Sequence, residues 1–304
     1  MSSSVSSTSG KNGKTIPVLT VLAVIVAIWY VCVVWMNAPF EYDRAERANA
    51  EAPAFSQLVR DTMAQERPVL PAPHQVFSEI YKTTVQKKIT SKRSLVYHAW
   101  ITLSATLLGF LIGTALGIAL AVGIVHNKAM DKSVMPWVIT SQTIPILAIA
   151  PMIIVVLNAV GLSGLLPKAL ISTYLSFFPV VVGMVKGLRS PDRAQLDLMH
   201  TYSASRTQTF WKLRFPSSMP YLFTSLKIAV AISLVGAIVG EMPTGAVAGL
   251  GARLLAGSYY GQTIQIWSAL FMAAALAAIL VMLVGVAHSY VLRRMGEKPQ
   301  AGVA

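Results

Sequence analysis

Charged residues and cysteine are both scarce in this chain. Only 12% of the 304 residues are charged and 55% are hydrophobic, and the mean hydropathy is +0.61. Soluble domains carry about twice this share of charge. The scarcity therefore indicates a membrane protein. The single cysteine, Cys32, excludes a disulfide within the chain.

Motifs for metal binding, nucleotide binding and catalysis are also absent from the sequence. The five histidines have no metal-ligand spacing. Gly13-Lys14-Thr15 resembles the end of a phosphate-binding loop, but Thr8 stands where that loop needs glycine. No nucleophile lies at a catalytic spacing from a base. We therefore expect no metal, no cofactor and no catalytic residue on this chain.

The positive charge of the chain follows a pattern typical of membrane topology. The net charge is +13, and the basic residues lie mainly in short segments that flank apolar runs. Such segments orient membrane helices with their positive side in the cytoplasm. Because no basic face remains outside them, we expect no nucleic-acid partner.

Six apolar runs are long enough to cross a bilayer, which predicts an all-α, six-span membrane protein. The runs cover residues 16–36, 95–125, 135–160, 165–185, 221–239 and 264–292. The first run is too long for a signal peptide and has no cleavage site, so we expect it to be retained. We predict cytoplasmic tails at residues 1–15 and 293–304, a first transmembrane helix at 16–36, a periplasmic segment at 37–94, and a membrane core at 95–292. The periplasmic segment is expected to be partly helical and to lie on the membrane surface.

The second run contains Gly109, Gly113 and Gly117, which recur every four residues. This spacing places a groove of small residues on one helix face, where a neighbouring backbone can approach closely.

The third run contains two interior prolines, Pro145 and Pro151. Proline breaks helical hydrogen bonds, and a lipid-facing helix cannot leave them unsatisfied. We therefore expect a kinked helix that faces protein or a water-filled path. The candidates for lining a transport path are Gln142, Pro145, Asn158, Tyr174 and Glu241. Polar contacts between helices are the alternative role for the amide and hydroxyl groups, and for Glu241 a gating role and a capping role both stay open.

The most distinctive segment is the loop between the fourth and fifth runs. Residues 186–220 carry six Lys/Arg and two Asp, so we expect this loop in the cytoplasm. Asp197 is followed after five residues by Ser203, and nine residues separate Ser203 from the sequence Leu213-x-Phe215-Pro216.

This loop is suited to dock on a partner. We expect a short helix over residues 197–208, with Asp197 near its positive end. The small residues Ser203, Ala204 and Ser205 permit close approach of the partner, and Pro216 and Pro220 fix the turn into the fifth span. An ordinary charged loop between spans is the alternative.

The spacing resembles the loop signature of permease subunits of binding-protein-dependent ABC importers. That signature is an acidic residue, two alanines, three residues, glycine, nine residues and Ile-x-Leu-Pro. The resemblance covers roughly residues 70–294 and suggests the group that transports nitrate, sulfonates, taurine, riboflavin and hydroxymethylpyrimidine, a thiamine precursor. The resemblance also rests on residues outside the loop. These are Leu70-Pro71-Ala72-Pro73, His98, Thr102-Leu103, Gly109-Phe110, Ser141-Gln142-x-Ile144-Pro145, Ala150-Pro151, Phe178-Pro179, Gly187-Leu188-Arg189-Ser190, Tyr221-Leu222-Phe223, Leu226-Lys227-Ile228 and Gly240-Glu241.

The resemblance implies a set of partners and a location. It implies a bacterial inner-membrane protein with both termini in the cytoplasm, in a homodimer or heterodimer of permease chains. It also implies a separate ABC ATPase that holds ATP and magnesium, a periplasmic or lipid-anchored solute-binding protein, and contact with membrane lipid. The sequence SQTIPILAIAP is closer to members that carry hydroxymethylpyrimidine or riboflavin than to those that carry taurine, sulfonates or nitrate.

The loop departs from the family signature at its small residues. Leu198 and Met199 replace the alanine pair, and Ser203 replaces the glycine. A heterodimer with a second permease that keeps the signature, or an ATPase with a matching groove, would accommodate these changes. The rivals from other classes are an ion-coupled secondary transporter, for which the spans offer few ionisable groups, and a membrane-anchored scaffold.

Overall fold

The computed structural model describes residues 12–243 and 248–296, with side chains from residue 16. The predicted tails therefore lie largely outside the described residues, which exclude residues 1–11 and 297–304. Within the described part the chain is helical and contains no strand. The described residues form twelve α-helices: α1 Asn12–Arg47, α2 Phe55–Ala64, α3 Pro73–Tyr81, α4 Leu95–His126, α5 Lys128–Ser141, α6 Ile146–Ala159, α7 Leu165–Leu188, α8 Arg193–Thr201, α9 Arg206–Thr209, α10 Phe215–Glu241, α11 Leu250–Tyr259 and α12 Thr263–Arg294.

Five of these helices are long and apolar enough to cross a membrane: α1, α4, α7, α10 and α12. A sixth crossing is formed if α5 and α6, which meet at an angle of 99°, count as one broken span. The all-α, six-span class predicted from the sequence is confirmed. The bend falls in the proline-containing third run, and it is sharper than the kink expected there.

Two helical segments differ from the sequence prediction. α1 continues past the apolar run to Arg47, and α11 lies between the fifth and sixth apolar runs, where the sequence indicates no helix. In both cases the apolar pattern is weak, and contacts with distant residues stabilise the helix.

The chain divides into two compact units. The first comprises Met1–Gln86 with Ala256–Ser268, and the second comprises Lys87–Leu255 with Ala269–Ala304. In the first unit α2 and α3 pack against α1. Asn37 is fully buried there; it donates to Leu70 O at 2.9 Å and accepts from Val69 N at 2.8 Å. Gln65 Nε2 donates to Glu41 Oε1 at 2.6 Å, so the polar end of α1 is satisfied.

In the second unit α4, α7 and α10 form a tightly packed core. A Cβ atom added at Gly117 of α4 would lie 2.8 Å from Val180 Cβ of α7, and one at Gly109 would lie 2.6 Å from Ser172 Oγ. The predicted groove of small residues is thus confirmed, and it receives α7.

Hydroxyl groups add interhelical bonds to this core. Ser172 Oγ lies 2.6 Å from Ser233 Oγ, and Ser233 Oγ donates to Thr106 O at 2.9 Å. One chain of bonds therefore joins all three helices.

Candidate docking loop and transport path

The loop between α7 and α10 begins with a well-capped helix. Asp192 is the N-cap of α8 and accepts from Gln195 N at 2.7 Å, while Gln195 Oε1 accepts from Asp192 N at 3.2 Å. This reciprocal capping box satisfies two backbone donors and places a carboxylate at the positive end of the helix. Asp197, which we expected at that end, is instead exposed in the middle of α8.

A sharp turn at Ser203 divides the loop into two helices. Ser203 has φ of +53°, Ser203 N donates to His200 O at 2.8 Å, and Ala204 N donates to Met199 O at 3.0 Å. These two bonds form a Schellman motif with Ser203 at the left-handed position, where glycine is favoured. The continuous helix expected over residues 197–208 is therefore interrupted at Ser203. The family signature has glycine at this position, and the positive φ explains why glycine suits it.

Ser205 starts the second helix of the loop. It is the N-cap of α9, where Gln208 N donates to Ser205 Oγ at 3.2 Å and Ser205 N donates to Gln208 Oε1 at 2.8 Å. Ser203 thus ends α8, Ala204 connects the two helices, and Ser205 begins α9.

Aromatic side chains hold the return segment of the loop. Residues Phe210–Arg214 form a π-helical turn that leads directly into α10. Phe210 is buried, and its ring centroid lies 5.0 Å from that of His126 at the end of α4 and 6.0 Å from that of Phe215. Leu213, Phe215 and Pro216 are half-buried, so these motif residues form the inner support of the loop.

Basic side chains tie the loop base to neighbouring helices. Arg214 Nη1 donates to Leu188 O, a terminal carbonyl of α7, at 3.2 Å. Arg189 Nη2 lies 2.9 Å from Asp131 Oδ2 on α5. A force applied to the loop would therefore reach α4, α5, α7 and α10.

Three large apolar side chains of the loop are exposed: Leu198 by 55%, Tyr202 by 76% and Trp211 by 59%. Leu198 and Tyr202 are four residues apart, so they share the face of α8 that continues into the turn. Sequence reasoning treated Leu198 only as a departure from the alanine pair and did not select Tyr202 or Trp211. Their bulk and apolar character in an otherwise polar loop could have identified them in the sequence as candidate contact residues.

The broken span brings together three of the predicted path residues. Gln142 and Pro145 lie at the junction of α5 and α6, where Gln142 is the C-cap and Pro145 the N-cap. The Tyr174 hydroxyl on α7 donates to Ser141 O, the last residue of α5. Tyr174 thereby satisfies a carbonyl freed by the break, a necessity for non-helical backbone at membrane depth. Asn158 is exposed near the far end of α6, apart from this group.

Glu241 is enclosed at the end of α10. Its carboxylate accepts from Thr102 Oγ1 of α4 at 2.9 Å and from Gly251 N of α11 at 2.9 Å, and Lys168 Nζ of α7 lies 3.7 Å away. The Thr102 hydroxyl also accepts from Leu250 N at 2.9 Å. This geometry supports the capping role left open in the sequence analysis, because the carboxylate fixes the start of α11.

His98 reinforces the same junction. Its Nδ1 accepts from Gly249 N at 3.0 Å, which leaves Nε2–H to donate to Lys92 O at 3.0 Å. Sequence reasoning noticed Glu241, His98 and Thr102 separately and did not predict that they meet.

Comparison with known proteins identifies the family. Residues 113–297 match the family described as binding-protein-dependent transport system inner membrane component. The chain belongs to this family. It is therefore a multi-pass inner-membrane permease of a binding-protein-dependent ABC importer, as the resemblance implied. The family's members are transport components rather than enzymes.

Two curated relatives have similar sequences. The formylaminopyrimidine transport permease protein ThiX of Halalkalibacterium halodurans is 34% identical over 184 residues, which are 60% of this chain and 68% of that protein. The riboflavin transport system permease protein RibX of Chloroflexus aurantiacus is 34% identical over 186 residues, or 61% of this chain and 65% of that protein.

The fold is also similar to a solved importer structure. A chain from the inward-facing MetNI methionine ABC transporter superposes with a TM-score of 0.55 at 19% identity. The match covers 66% of this permease and 95% of that chain. It supports the fold assignment of the permease core. The family match begins at residue 113, so α1, α2 and α3 lie outside it.

Proposed function

We propose that this permease is the transmembrane subunit of an ATP-driven importer and that residues 192–216 dock on a separate ABC ATPase. The observation that carries the proposal is the form of the loop. It is a pair of capped helices with exposed Leu198 and Tyr202, held at its base by Phe210 and Arg214. A stiff, anchored projection can transmit the closure of a motor to the helices that it joins.

The proposed orientation places this loop and both termini in the cytoplasm. The charge distribution supports it, because residues 186–220 carry six Lys/Arg, and Arg293 and Arg294 follow the last span. ATP and magnesium then belong to the ATPase. A second permease chain completes the path, and a solute-binding protein delivers cargo on the opposite side.

Replacing Ala204 with arginine tests the docking role. Ala204 lies between the two helices of the loop and is half-buried. A long charged side chain there should separate the loop from its partner and remove at least about 90% of ATPase co-purification, the tenfold loss that corresponds to about 1.4 kcal/mol. Affinity capture of the detergent-solubilised complex, with membrane insertion checked by fractionation, measures this.

The matched control is Ala129→Arg. Ala129 is exposed near the start of α5, outside the loop between α7 and α10. We expect this variant to retain the ATPase at the unmodified level. Normal ATPase capture by Ala204→Arg would contradict the docking assignment.

For cargo, we propose a pyrimidine precursor of thiamine or riboflavin. The support is the similarity to permeases named for formylaminopyrimidine and riboflavin transport, together with the SQTIPILAIAP sequence at the broken span. Gln142 and Tyr174 lie at that break and would be the polar groups nearest a path. Taurine, a sulfonate or nitrate is the alternative cargo within the same importer class.

An ion-coupled secondary transporter is the weaker alternative. Such a mechanism generally uses ionisable groups inside the membrane. In the described core, Glu241 and Lys168 face each other near helix ends and are engaged in holding α11. That arrangement favours a structural role for this pair over ion coupling.

A further inference from the structure

Residues 73–86 form a continuous helix outside the matched family region. α3 passes directly into a π-helical turn, Lys82–Gln86. We call this segment the surface helix. One of its faces is packed, since Val76 and Thr83 are buried.

The opposite side of the surface helix carries two neighbouring exposed stripes of different polarity. Phe77, Tyr81 and Val85 recur every four residues and are exposed by 77%, 57% and 63%. Each of these apolar residues is followed directly by a polar one. The polar residues are Ser78, Lys82 and Gln86, and they are also exposed. Residues four apart share a helix face, so the apolar and polar stripes run side by side.

Contacts with α1 place the start of the surface helix beside the second half of the apolar run of α1. Trp29 Nε1 donates to Pro71 O at 3.1 Å, and Tyr30 Oη lies 3.3 Å from His74 Nδ1. Trp29 and Tyr30 lie in the second half of the apolar run of α1, six to seven residues before its end at Met36. Asn37, directly after the run, donates to Leu70 O at 2.9 Å, so the segment before the surface helix also contacts the end of the run. α1 has 36 residues and is therefore about 54 Å long, more than the ~30 Å of hydrocarbon.

We propose that the surface helix binds the lipid surface, with Phe77, Tyr81 and Val85 inserted below the headgroups. Helices with an apolar and a polar face lie in this plane, with the apolar side chains about 5–10 Å deep. The charge agrees with a lipid partner, because Lys82 is followed by Lys87, Lys88, Lys92 and Arg93 with no acidic residue between them. These cations suit phosphate headgroups.

This binding would give the first unit a fixed depth in the membrane. α1 already crosses the bilayer, and the surface helix adds a second attachment that α1 alone does not provide. The hydrogen bonds of Asn37 and Glu41 would then lie just outside the hydrocarbon. This location suits the polar end of α1, because polar side chains are costly inside the hydrocarbon.

Spin labelling measures the depth of each stripe. Single cysteines are introduced in a Cys32→Ala background at the apolar positions 77, 81 and 85 and at the polar positions 78, 82 and 86. The full-length chain is labelled in nanodiscs of phosphatidylethanolamine and phosphatidylglycerol, with the cysteine-free parent as the blank. Collision with oxygen and with a water-soluble nickel chelate then gives the position of each label relative to the phosphates.

The expected result is a periodic difference between the two stripes. Labels at Phe77→Cys, Tyr81→Cys and Val85→Cys should lie about 5–10 Å below the phosphates. Labels at Ser78→Cys, Lys82→Cys and Gln86→Cys should lie at or above them. Each variant replaces an exposed side chain, so folding should persist in all six.

Two results would overturn the proposal. Apolar-stripe labels that collide mainly with the nickel chelate would show a helix in water. Labels that neither reagent reaches would show a stripe covered by protein, either a second copy of this chain or another subunit.

Discussion

At the scale of single residues, Glu241 connects its own helix to three other helices. Its carboxylate joins α10 to Thr102 on α4, to Lys168 on α7 and to Gly251 on α11. A buried carboxylate is tolerated only when hydrogen bonds and a counter-charge replace its water. The residue therefore fixes where four helices meet.

Removing this carboxylate should destabilise the permease. Glu241→Ala leaves Lys168 without its counter-charge and Gly251 N without an acceptor, at a cost of about 3–5 kcal/mol. Glu241→Gln keeps the acceptor oxygen and should cost less. Thermal unfolding of the purified permease, followed by intrinsic fluorescence, should rank the stabilities as unmodified, then Glu241→Gln, then Glu241→Ala.

The double variant Glu241→Ala/Lys168→Met provides the control. Removing both partners eliminates the unpaired buried charge, so part of the lost stability should return. If Glu241→Ala unfolds at the same temperature as the unmodified permease, the proposed network does not hold the helices together.

At the scale of elements, the loop between α7 and α10 shows how a few local signals define two short helices and the turn between them. Asp192 and Ser205 start α8 and α9, and Ser203 ends α8 in the left-handed region. A non-glycine residue in that region is strained because its Cβ approaches the backbone. The chain therefore keeps the family's turn while carrying a less suitable residue there.

Replacing Ser203 with glycine should stabilise the loop. The relief of strain exceeds the extra flexibility of glycine in the unfolded chain, for a net gain of about 0.5–1 kcal/mol. Ser203→Val should act in the opposite direction, because a branched side chain is poorly tolerated at positive φ. Amide hydrogen exchange of residues 193–209 measures both: slower exchange for the glycine variant and faster exchange for the valine variant.

Thr207→Gly is the matched control within the loop. Thr207 is exposed and helical, so glycine there should speed exchange. Equal effects of glycine at both positions would show that the left-handed turn at Ser203 carries no strain.

At the scale of the whole molecule, the spans and the position of the loop could be predicted because each depends on a pattern of neighbouring residues in the sequence. Apolar runs of bilayer length identify α4, α7, α10 and α12 without reference to any neighbour. The glycine spacing of α4 likewise predicted its close packing. A residue pattern inside one helix is sufficient for such features.

Features that depend on distant contacts could not be predicted. His98 meets Gly249, and Glu241 meets Thr102, only after α4 and α10 have packed. The extension of α1 depends on Asn37 and its bonds to the segment before α3. The turn at Ser203 was accessible in principle, because a glycine in the family signature indicates positive φ.

Uptake by the purified complex tests the central claim most directly. The permease, its ATPase and its binding protein are reconstituted in proteoliposomes and supplied with labelled hydroxymethylpyrimidine, formylaminopyrimidine, riboflavin, taurine or nitrate. ATP is added on the side of the docking loop, or an ion gradient is imposed without ATP. We predict uptake of a pyrimidine or of riboflavin that requires both ATP and the binding protein and that is lost with Ala204→Arg. Uptake driven by the ion gradient in the absence of ATP would contradict the account.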